Sequence, residues 1–262
     1  KGHSDTETLL AALQIWGIER TLPLLNGMFA FALWDKSQRV LSLARDRAGE
    51  KPLFYGTAGK TFLFASELKS MTVHPDWIGT INRDVLATYL RHAYVPDPHC
   101  IYDNIKDGVA GEPICYWSLA EAATTQRREK PAAELVDELE GLLLDSVGIR
   151  MEADVPLGAF LSGGIDSSVI VAMMQAQASK PVKTFTIGFD VPGYNEAEHA
   201  KAVAAHLGTD HTELYVTPED ALNVVPQLPE FWDEPFADSS QIPTFLLSRM
   251  TRESVTVSLS GD

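Results

Sequence analysis

The chain has 262 residues, 45% of them hydrophobic, and a formal net charge of −15. The length favours two domains over one, and the apolar share suffices for real cores. The acidic balance excludes a broad nucleic-acid or membrane surface, since both need basic patches. It does not exclude ATP, which needs only a local positive field and a metal.

Thr6 to about Trp16 reads as a helix, with Ser4 or Asp5 placed to cap it. Gly27-Met-Phe-Ala-Phe-Ala-Leu-Trp-Asp35 alternates large and small residues as a strand does. Its Phe29, Phe31 and Leu33 stripe reads as core. The turn Asp35-Lys-Ser-Gln leads to a second strand at Arg39–Ala44. Pro52–Tyr55 and Thr61–Phe64 are further strands, joined by Gly56-Thr-Ala-Gly59. Short strands with polar turns suggest antiparallel hairpins. Arg45 and Asp46 are expected to form a structural ion pair. A helix is expected over about 84–93, then an irregular turn at Tyr94-Val-Pro-Asp-Pro98. The Ala-, Thr- and charge-rich stretch from about Ala120 to Pro131 reads as a linker.

The second half changes style. A helix is expected over Ala132–Met151. Strands are expected at 155–161, 182–189, 211–216 and 254–259, and helices at about 167–178 and 196–207, the latter stopped by Gly208. Alternating strands and helices imply a mostly parallel sheet with helices on both faces. Ligands of such sheets sit at the carboxyl ends of the strands. Residues 162–164, the segment Thr186-Ile-Gly-Phe189 and the terminal Ser260-Gly-Asp262 all fall at such ends. Asp238 and Ser239 read locally as an ordinary turn, and the five tryptophans as core or interdomain packing. Cys100 and Cys115 have neither framework nor metal spacing and read as inert packing residues. His199, His206 and His211 show no ligand pattern. They are expected on a helix surface and at a strand start. No apolar stretch is long enough to span a bilayer and none reads as a signal peptide. A reduced, cytoplasmic setting is expected.

The most telling residues are Leu161-Ser-Gly-Gly-Ile-Asp-Ser-Ser168, between the apolar run Val155–Phe160 and the helical Val169–Gln175. A strand, a Ser/Gly loop and a helix start together make an anion site. Glycines let backbone approach the anion, and first-turn N–H groups lack helical partners. Ser162, Ser167 and Ser168 add hydroxyl donors. Asp166 would repel a bare phosphate, but a divalent cation between them removes the conflict, and Mg²⁺ takes few carboxylates while sharing phosphate oxygens. The loop therefore reads as built for Mg-pyrophosphate. The competing reading is a tight turn without ligand. The Lys of a Walker loop and the spacing of a dinucleotide fingerprint are both missing.

The octet resembles the PP-loop of the N-type ATP pyrophosphatases, which include asparagine, GMP, NAD and argininosuccinate synthetases. In the first half, Gly2-His-Ser-Asp-Thr-Glu-Thr8, residues 27–35, Ala44-Arg-Asp-Arg-Ala-Gly-Glu-Lys-Pro-Leu53, Phe64-Ala-Ser-Glu-Leu-Lys69 and Tyr94-Val-Pro96 resemble the later part of a class II glutamine amidotransferase domain. Taken in order, with Tyr194-Asn-Glu-Ala-Glu198 and Asp233-Glu-Pro-Phe-Ala-Asp-Ser-Ser240, the chain is similar to the bacterial type of glutamine-hydrolysing asparagine synthetases.

The resemblance implies two partial domains. The first is an α+β antiparallel sandwich of the N-terminal-nucleophile type over 1–122. After a linker at 123–131 comes an α/β doubly wound parallel sheet over 132–262. It implies a ligase that activates aspartate with ATP as β-aspartyl-adenylate and amidates it with ammonia from glutamine. Asp5 then contacts the glutamine amine, as a carboxylate suits an ammonium, although it can also cap its helix. Leu161, Ser162, Gly163, Gly164, Asp166, Ser167 and Ser168 hold ATP and pyrophosphate, with Asp166 on Mg²⁺. Ile187 faces adenine, Ser260 and Gly261 lie by the nucleotide, and Asp262 is the candidate at the acyl-adenylate site. The implied partners are glutamine, aspartate and ATP, with no nucleic acid and no membrane, and a homodimer stays open. The family's nucleophilic Cys, glutamine-clamping Arg and oxyanion Asn-Gly are expected before Lys1. Its second Mg²⁺ carboxylate and catalytic Lys are expected after Asp262. A Leu-Pro-Pro-Gly-like segment is expected where the chain runs Lys106-Asp107. Two other readings stand beside this one: the same chemistry on another carboxylate, in β-lactam-forming or polysaccharide-modifying relatives, and a degenerate, non-catalytic pair of domains.

Overall fold

The computed structural model describes residues 4–108, 114–125, 130–189 and 195–261. They form two compact units, Lys1–Arg128 with Pro229–Ala237, and Glu129–Leu228 with Asp238–Asp262. The first unit thus includes Pro229–Ala237, which chain order alone would leave with the second. Among the described residues no helix is long and apolar enough to cross a membrane.

The first unit opens with α1 (Asp5–Trp16) and α2 (Ile18–Thr21). Ser4 caps α1 by accepting from the Glu7 amide at 3.3 Å, while Asp5 Oδ1 accepts from its neighbour Thr6 at 2.7 Å. Strands β1 (Ala30–Asp35) and β2 (Val40–Arg45) pair antiparallel, with Asp35 Oδ1 accepting the Ser37 and Gln38 amides in the turn. The three-stranded sheet has order β4-β3-β5, from β3 (Phe54–Ala58), β4 (Thr61–Ala65) and β5 (Ile105–Asp107). Gly56–Ala58, expected as turn, belong to strand β3. Residues 56–58 pair with β4 on one side, and Gly56 also pairs with Ile105 of β5 on the other, so the turn shrinks to Gly59-Lys60. Strand β5 runs without a break across Lys106-Asp107.

Helices α3 (Leu68–Thr72) and α4 (Arg83–His92) complete this part. Phe54, Leu68, Met71, Cys100 and Ile105 form its core, edged by Trp77 packed against Tyr102. Burial pushes the Cys100 thiol far above its usual range. Three expectations are corrected. Cys115 is exposed rather than packed. Trp16, Trp34, Trp117 and Trp232 are all more than a third exposed, so only Trp77 packs as core. Phe29, Phe31 and Leu33 are half-buried, and the two phenylalanines wall a cavity instead of filling a closed core. The linker reading is corrected in part as well: α5 (Leu119–Thr125) forms within it, because Leu and Ala are strong helix formers.

Arg45 and Asp46 do not pair with each other. Arg45 donates to the carbonyls of Lys51 and Gly49 at 2.8 and 2.6 Å, and through Nη1 to Asp97 and Asp107 at 3.1 and 3.0 Å. Asp46 instead collects amides. Burial works against its charge, yet the N–H groups of Lys51, Glu50, Phe29 and Ala48 together hold its carboxyl below the ordinary value. Asp107 behaves oppositely. Burial, then its contact with Asp97, pushes it up to about 7 against the pull of Arg45. A carboxyl raised on folding binds its proton more tightly in the native state. Its stabilising contribution is therefore full at low pH and is lost as pH rises through about 7. All five tryptophans lie in the first unit, so their fluorescence reports this unit alone. Urea melts followed by tryptophan emission should show lower stability at pH 8 than at pH 5, and Asp107→Asn should flatten that dependence. An unchanged slope in the variant would mean that another group carries it.

Pro229–Ala237 is tied into this unit by acids. Asp233 Oδ2 accepts the Leu68 amide at 2.6 Å, Glu234 Oε1 accepts the Ile101 amide at 2.6 Å, and the Ala237 amide donates to Ala93 O at 2.8 Å. Burial raises the Glu234 carboxyl.

The second unit follows the expected alternation. Its elements are α6 (Ala132–Met151), β6 (Leu157–Phe160), α7 (Ile165–Gln177), β7 (Lys183–Phe189), α8 (Ala197–Leu207), β8 (Asp210–Val216), α9 (Pro218–Val224), α10 (Leu228–Phe231, whose last three residues belong to the first unit), α11 (Gln241–Thr251) and β9 (Val257–Leu259). Gly208 ends α8 in the left-handed conformation, as its position predicts. Helices α9 and α11 have no counterpart in the sequence reading. All four strands are parallel, in the order β8-β7-β6-β9. The side chains of Val147, Ala159, Leu161, Val171, Met174, Ala200 and Ala204 pack α6, α7 and α8 on one face. Those of Ile187, Phe189, Leu214, Val216, Val224, Ile242 and Leu246 pack α9 and α11 on the other. The period of two in β7 makes this division. Thr184 and Thr186 alternate with Phe185, Ile187 and Phe189, so the two sets leave the strand on opposite sides. His199 and His206 lie on α8 and His211 near the start of β8.

Candidate functional site

The strand order contains a reversal. From β6 the chain moves outward through β7 to β8, then returns to place β9 on the other side of β6. Crevices at such switch points, beyond the carboxyl ends of the strands, are where open α/β sheets take ligands. A cavity of about 440 Å³ lies there, wholly within the second unit. It collects the ends of β6 (Phe160, Leu161) and β7 (Thr186, Ile187, Phe189). It also takes in the loop after β6 (Ser162, Gly164, Asp166, Ser167) and the residues after β9 (Ser260, Gly261).

The loop is held in shape by its own serines. Ser162 Oγ and Ser167 Oγ lie 2.9 Å apart, Ser167 Oγ accepts the Ser162 amide at 3.2 Å, and Ser162 Oγ accepts the Gly164 amide at 3.2 Å. Gly164 starts α7 with no side-chain cap, so the amides of the first turn are left to whatever occupies the cavity. The residues lining the cavity include no basic side chain. The positive field at this loop therefore comes from aligned backbone dipoles, equivalent to roughly half a charge at a helix N-terminus. Asp166 and Glu196 are the charged side chains of the lining.

Gly163, Ile165 and Ser168 of the octet face elsewhere, the first and last of them expected site residues. Gly163, at φ +81°, is pressed against α8; a Cβ there would lie 2.7 Å from the Ala200 amide nitrogen. Ser168 turns its hydroxyl back to Gly164 O at 2.6 Å and lines a separate apolar groove between α7 and α8. Gly261 is fixed by close approach. A Cβ on it would lie 2.5 Å from Ser167 N, so β9's end and the first turn of α7 meet as backbone against backbone. Asp262 lies outside the described residues, as does Tyr194.

Sequence reasoning missed one wall. Ser240, Pro243, Thr244 and Leu247, at the start of α11, also line the cavity, and Glu196 joins from the start of α8. The only local signal was Asp238, which forms the expected turn by accepting the Ser240 amide at 2.8 Å.

In the first unit Asp5 lies on a larger cavity of about 760 Å³, with Thr8, Leu9, Asn26, Gly27, Phe29 and Phe31 among its lining. The lining is mostly apolar, with a carboxylate at Asp5 and an ammonium at Lys51 as polar ends. That arrangement suits a small zwitterion with an aliphatic stem.

Fold and site together define a two-unit chain whose second unit is a doubly wound parallel sheet with a glycine-serine loop at its switch point. Comparison with known proteins names the parts. Residues 1–128 match the family described as glutamine amidotransferase domain, and residues 138–262 the family described as asparagine synthase. The two matches follow one another along the chain, one in each half. It is 36% identical over 269 residues to asparagine synthetase [glutamine-hydrolyzing] 1 of Bacillus subtilis, with 99% of this chain and 42% of that protein covered. Identity is 35% over 275 residues to a protein of Methanocaldococcus jannaschii provisionally named asparagine synthetase [glutamine-hydrolyzing] 2, covering 99% of this chain and 52% of that one. The chain thus spans about half or less of the length of these relatives. Among solved structures, the NMN synthetase of Francisella tularensis aligns with a TM-score of 0.34 and 16% identity, over 51% of this chain and 56% of that one.

Proposed function

We propose that this chain is part of an ATP-dependent amide ligase that makes asparagine. The second unit, of the PP-loop ATP pyrophosphatase type, joins the side-chain carboxylate of aspartate to the α-phosphorus of ATP and releases pyrophosphate. Ammonia cut from glutamine by the amidotransferase domain then displaces AMP. The products are asparagine, AMP, pyrophosphate and glutamate. The observation that carries this reading is the Ser162–Ser167 loop with its uncapped helix at the switch-point cavity, in a chain whose halves match the two families in that order. We infer further that the antiparallel sheets of the first unit are part of a sandwich of the N-terminal-nucleophile type.

In this reading the amides of α7's first turn and the hydroxyls of Ser162 and Ser167 hold the leaving pyrophosphate. Leu161 and Ile187 supply apolar wall for adenine, while Ser260 and Gly261 floor the nucleotide. Among the described residues no three His, Cys, Asp or Glu cluster as a metal cage. Mg²⁺ does not require one, since it binds through one or two carboxylates, waters and phosphate oxygens. Asp166, on the cavity wall beside Ser162 and Ser167, fits that donor set. The bound ion would neutralise phosphate charge. Asp5 holds the α-amine of glutamine by a charge-assisted hydrogen bond.

The test is ATP–pyrophosphate exchange by the intact protein, which should require aspartate. Exchange driven by a different carboxylate, or none at all, would refute the assignment. In the same preparation Asp5→Asn should lower glutamine-driven synthesis roughly tenfold or more, the worth of a hydrogen bond to a charged group. Synthesis driven by free ammonia should be spared. Equal losses with both nitrogen sources would make Asp5 structural.

A further inference from the structure

Pro229–Ala237 belongs to the first unit, although the chain before it through Leu228 and after it from Asp238 belongs to the second. Both flanks are rooted in one apolar cluster. Val224 and Leu228 precede the segment, Ile242, Phe245 and Leu246 follow it, and all pack with Ile187, Leu214 and Val216 of the parallel sheet. Pro229–Ala237 is thus a loop of the second unit that docks on the first. Its acids hold it there. Asp233 Oδ2 and Glu234 Oε1 accept the Leu68 and Ile101 amides at 2.6 Å each, and Lys69 Nζ donates to Glu230 O at 3.0 Å and lies 3.6 Å from Asp233 Oδ1. Hydrogen bonds with an ionised partner are roughly twice as strong as neutral ones.

The last anchor is the Ala237 amide on Ala93 O at 2.8 Å. Only Asp238, Ser239 and Ser240 separate it from α11, and they form a turn in which Asp238 Oδ1 accepts the Ser240 amide at 2.8 Å. No side-chain cap fixes the start of α11 from within. Yet Ser240, Pro243, Thr244 and Leu247, in and just before its first two turns, line the switch-point cavity. The start of this helix is therefore held by the apolar cluster through Ile242 and Leu246 and by the docked segment through a short turn.

We propose that Pro229–Ala237 is a strap by which the first unit fixes the α11 residues of the switch-point cavity, with Asp233 and Glu234 as positioning residues for nucleotide binding in the second unit. The proposal rests on the reading of this cavity as the ATP site. With the strap docked the cavity is ready for its ligand. With the strap released, the start of α11 takes other positions, and the apparent dissociation constant rises as the competent fraction falls. Linkage makes the effect reciprocal, so bound ATP favours the docked strap by the same factor. The experiment joins calorimetric titration of the intact protein with ATP, at saturating Mg²⁺, to hydrogen exchange. The double variant Asp233→Ala, Glu234→Ala should bind ATP about tenfold more weakly, as loss of a hydrogen bond to a charged group allows. Exchange over residues 241–247 should quicken in it while α7 stays unchanged. The double variant Asp233→Asn, Glu234→Gln keeps an acceptor oxygen at each position and should recover most of the affinity. In wild type, ATP should slow exchange of the Leu68 and Ile101 amides. Unchanged ATP affinity in the alanine variant would overturn the proposal, whatever the first unit loses in urea stability. So would equal quickening over α7 and α11, which indicates general loosening of the second unit, or Leu68 and Ile101 amides in wild type that do not respond to ATP. Failure of wild type to bind ATP would instead overturn the reading of the cavity as the ATP site.

Discussion

Asp166→Asn in the intact protein should lower aspartate-dependent ATP–pyrophosphate exchange by at least about a hundredfold, the loss typical of removing one preorganised group at a developing charge. In the proposed reaction the leaving pyrophosphate would gain negative charge as the α–β bond breaks, so contacts to it would strengthen toward the transition state and act on rate more than on ATP binding. Asp166 lies in the first turn of α7, beside the paired Ser162 and Ser167 hydroxyls. Asparagine keeps its size and removes the charge that would hold Mg²⁺. Acid in the first turn also favours the helix dipole, but that term is worth only about 0.3–1 kcal/mol at an exposed site and cannot account for a hundredfold. The substitution should leave glutaminase activity intact, because Asp5 and its cavity belong to the first unit. Near-normal exchange by Asp166→Asn at limiting Mg²⁺ would show that the loop does not work through a metal.

The legible parts of this chain are those whose signals are local. Helix α6 falls on the expected Ala132–Met151 because a long run of helix formers needs no partner to be recognised. The loop after β6 is recognisable because its Ser/Gly spacing between a strand and a helix is a local signal. Its inward and outward residues are not, since Gly163 and Ser168 are turned away by α8 and by Gly164 O, which sequence does not place. Gly56–Ala58 read as turn because glycine marks turns, yet Gly56 is a position where two other strands flank the chain. The docking of Asp233 and Glu234 in the first unit depends on partners more than 100 residues away, and the α11 wall of the cavity likewise on residues distant in the chain. The Arg45–Asp46 expectation failed for the same reason: the acids that meet Arg45 are 52 and 62 residues further along.

Arg45→Met should destabilise the first unit by about 3–5 kcal/mol at pH 8, the usual cost of stranding one member of a buried ion pair. The Arg45 side chain is 12% exposed, and its guanidinium serves four acceptors at once, the carbonyls of Lys51 and Gly49 and the carboxylates of Asp97 and Asp107. The side chain of Asp107 is equally buried, so without Arg45 its charge has no adequate partner and protonation becomes its escape. Arg45 is the group that pulls the Asp107 pKa down, so its removal should raise that pKa further above about 7. The variant's deficit should accordingly shrink at pH 5, where Asp107 already carries a proton in the native state, and grow as pH rises. Arg45→Lys should recover only part of the loss, since an ammonium keeps the charge but cannot reach four acceptors held in a planar fork. The measurement is urea unfolding followed by tryptophan emission at pH 5 and pH 8. A deficit independent of pH would mean that Arg45 matters through its two carbonyl contacts alone, and that the Asp107 charge is not what it compensates.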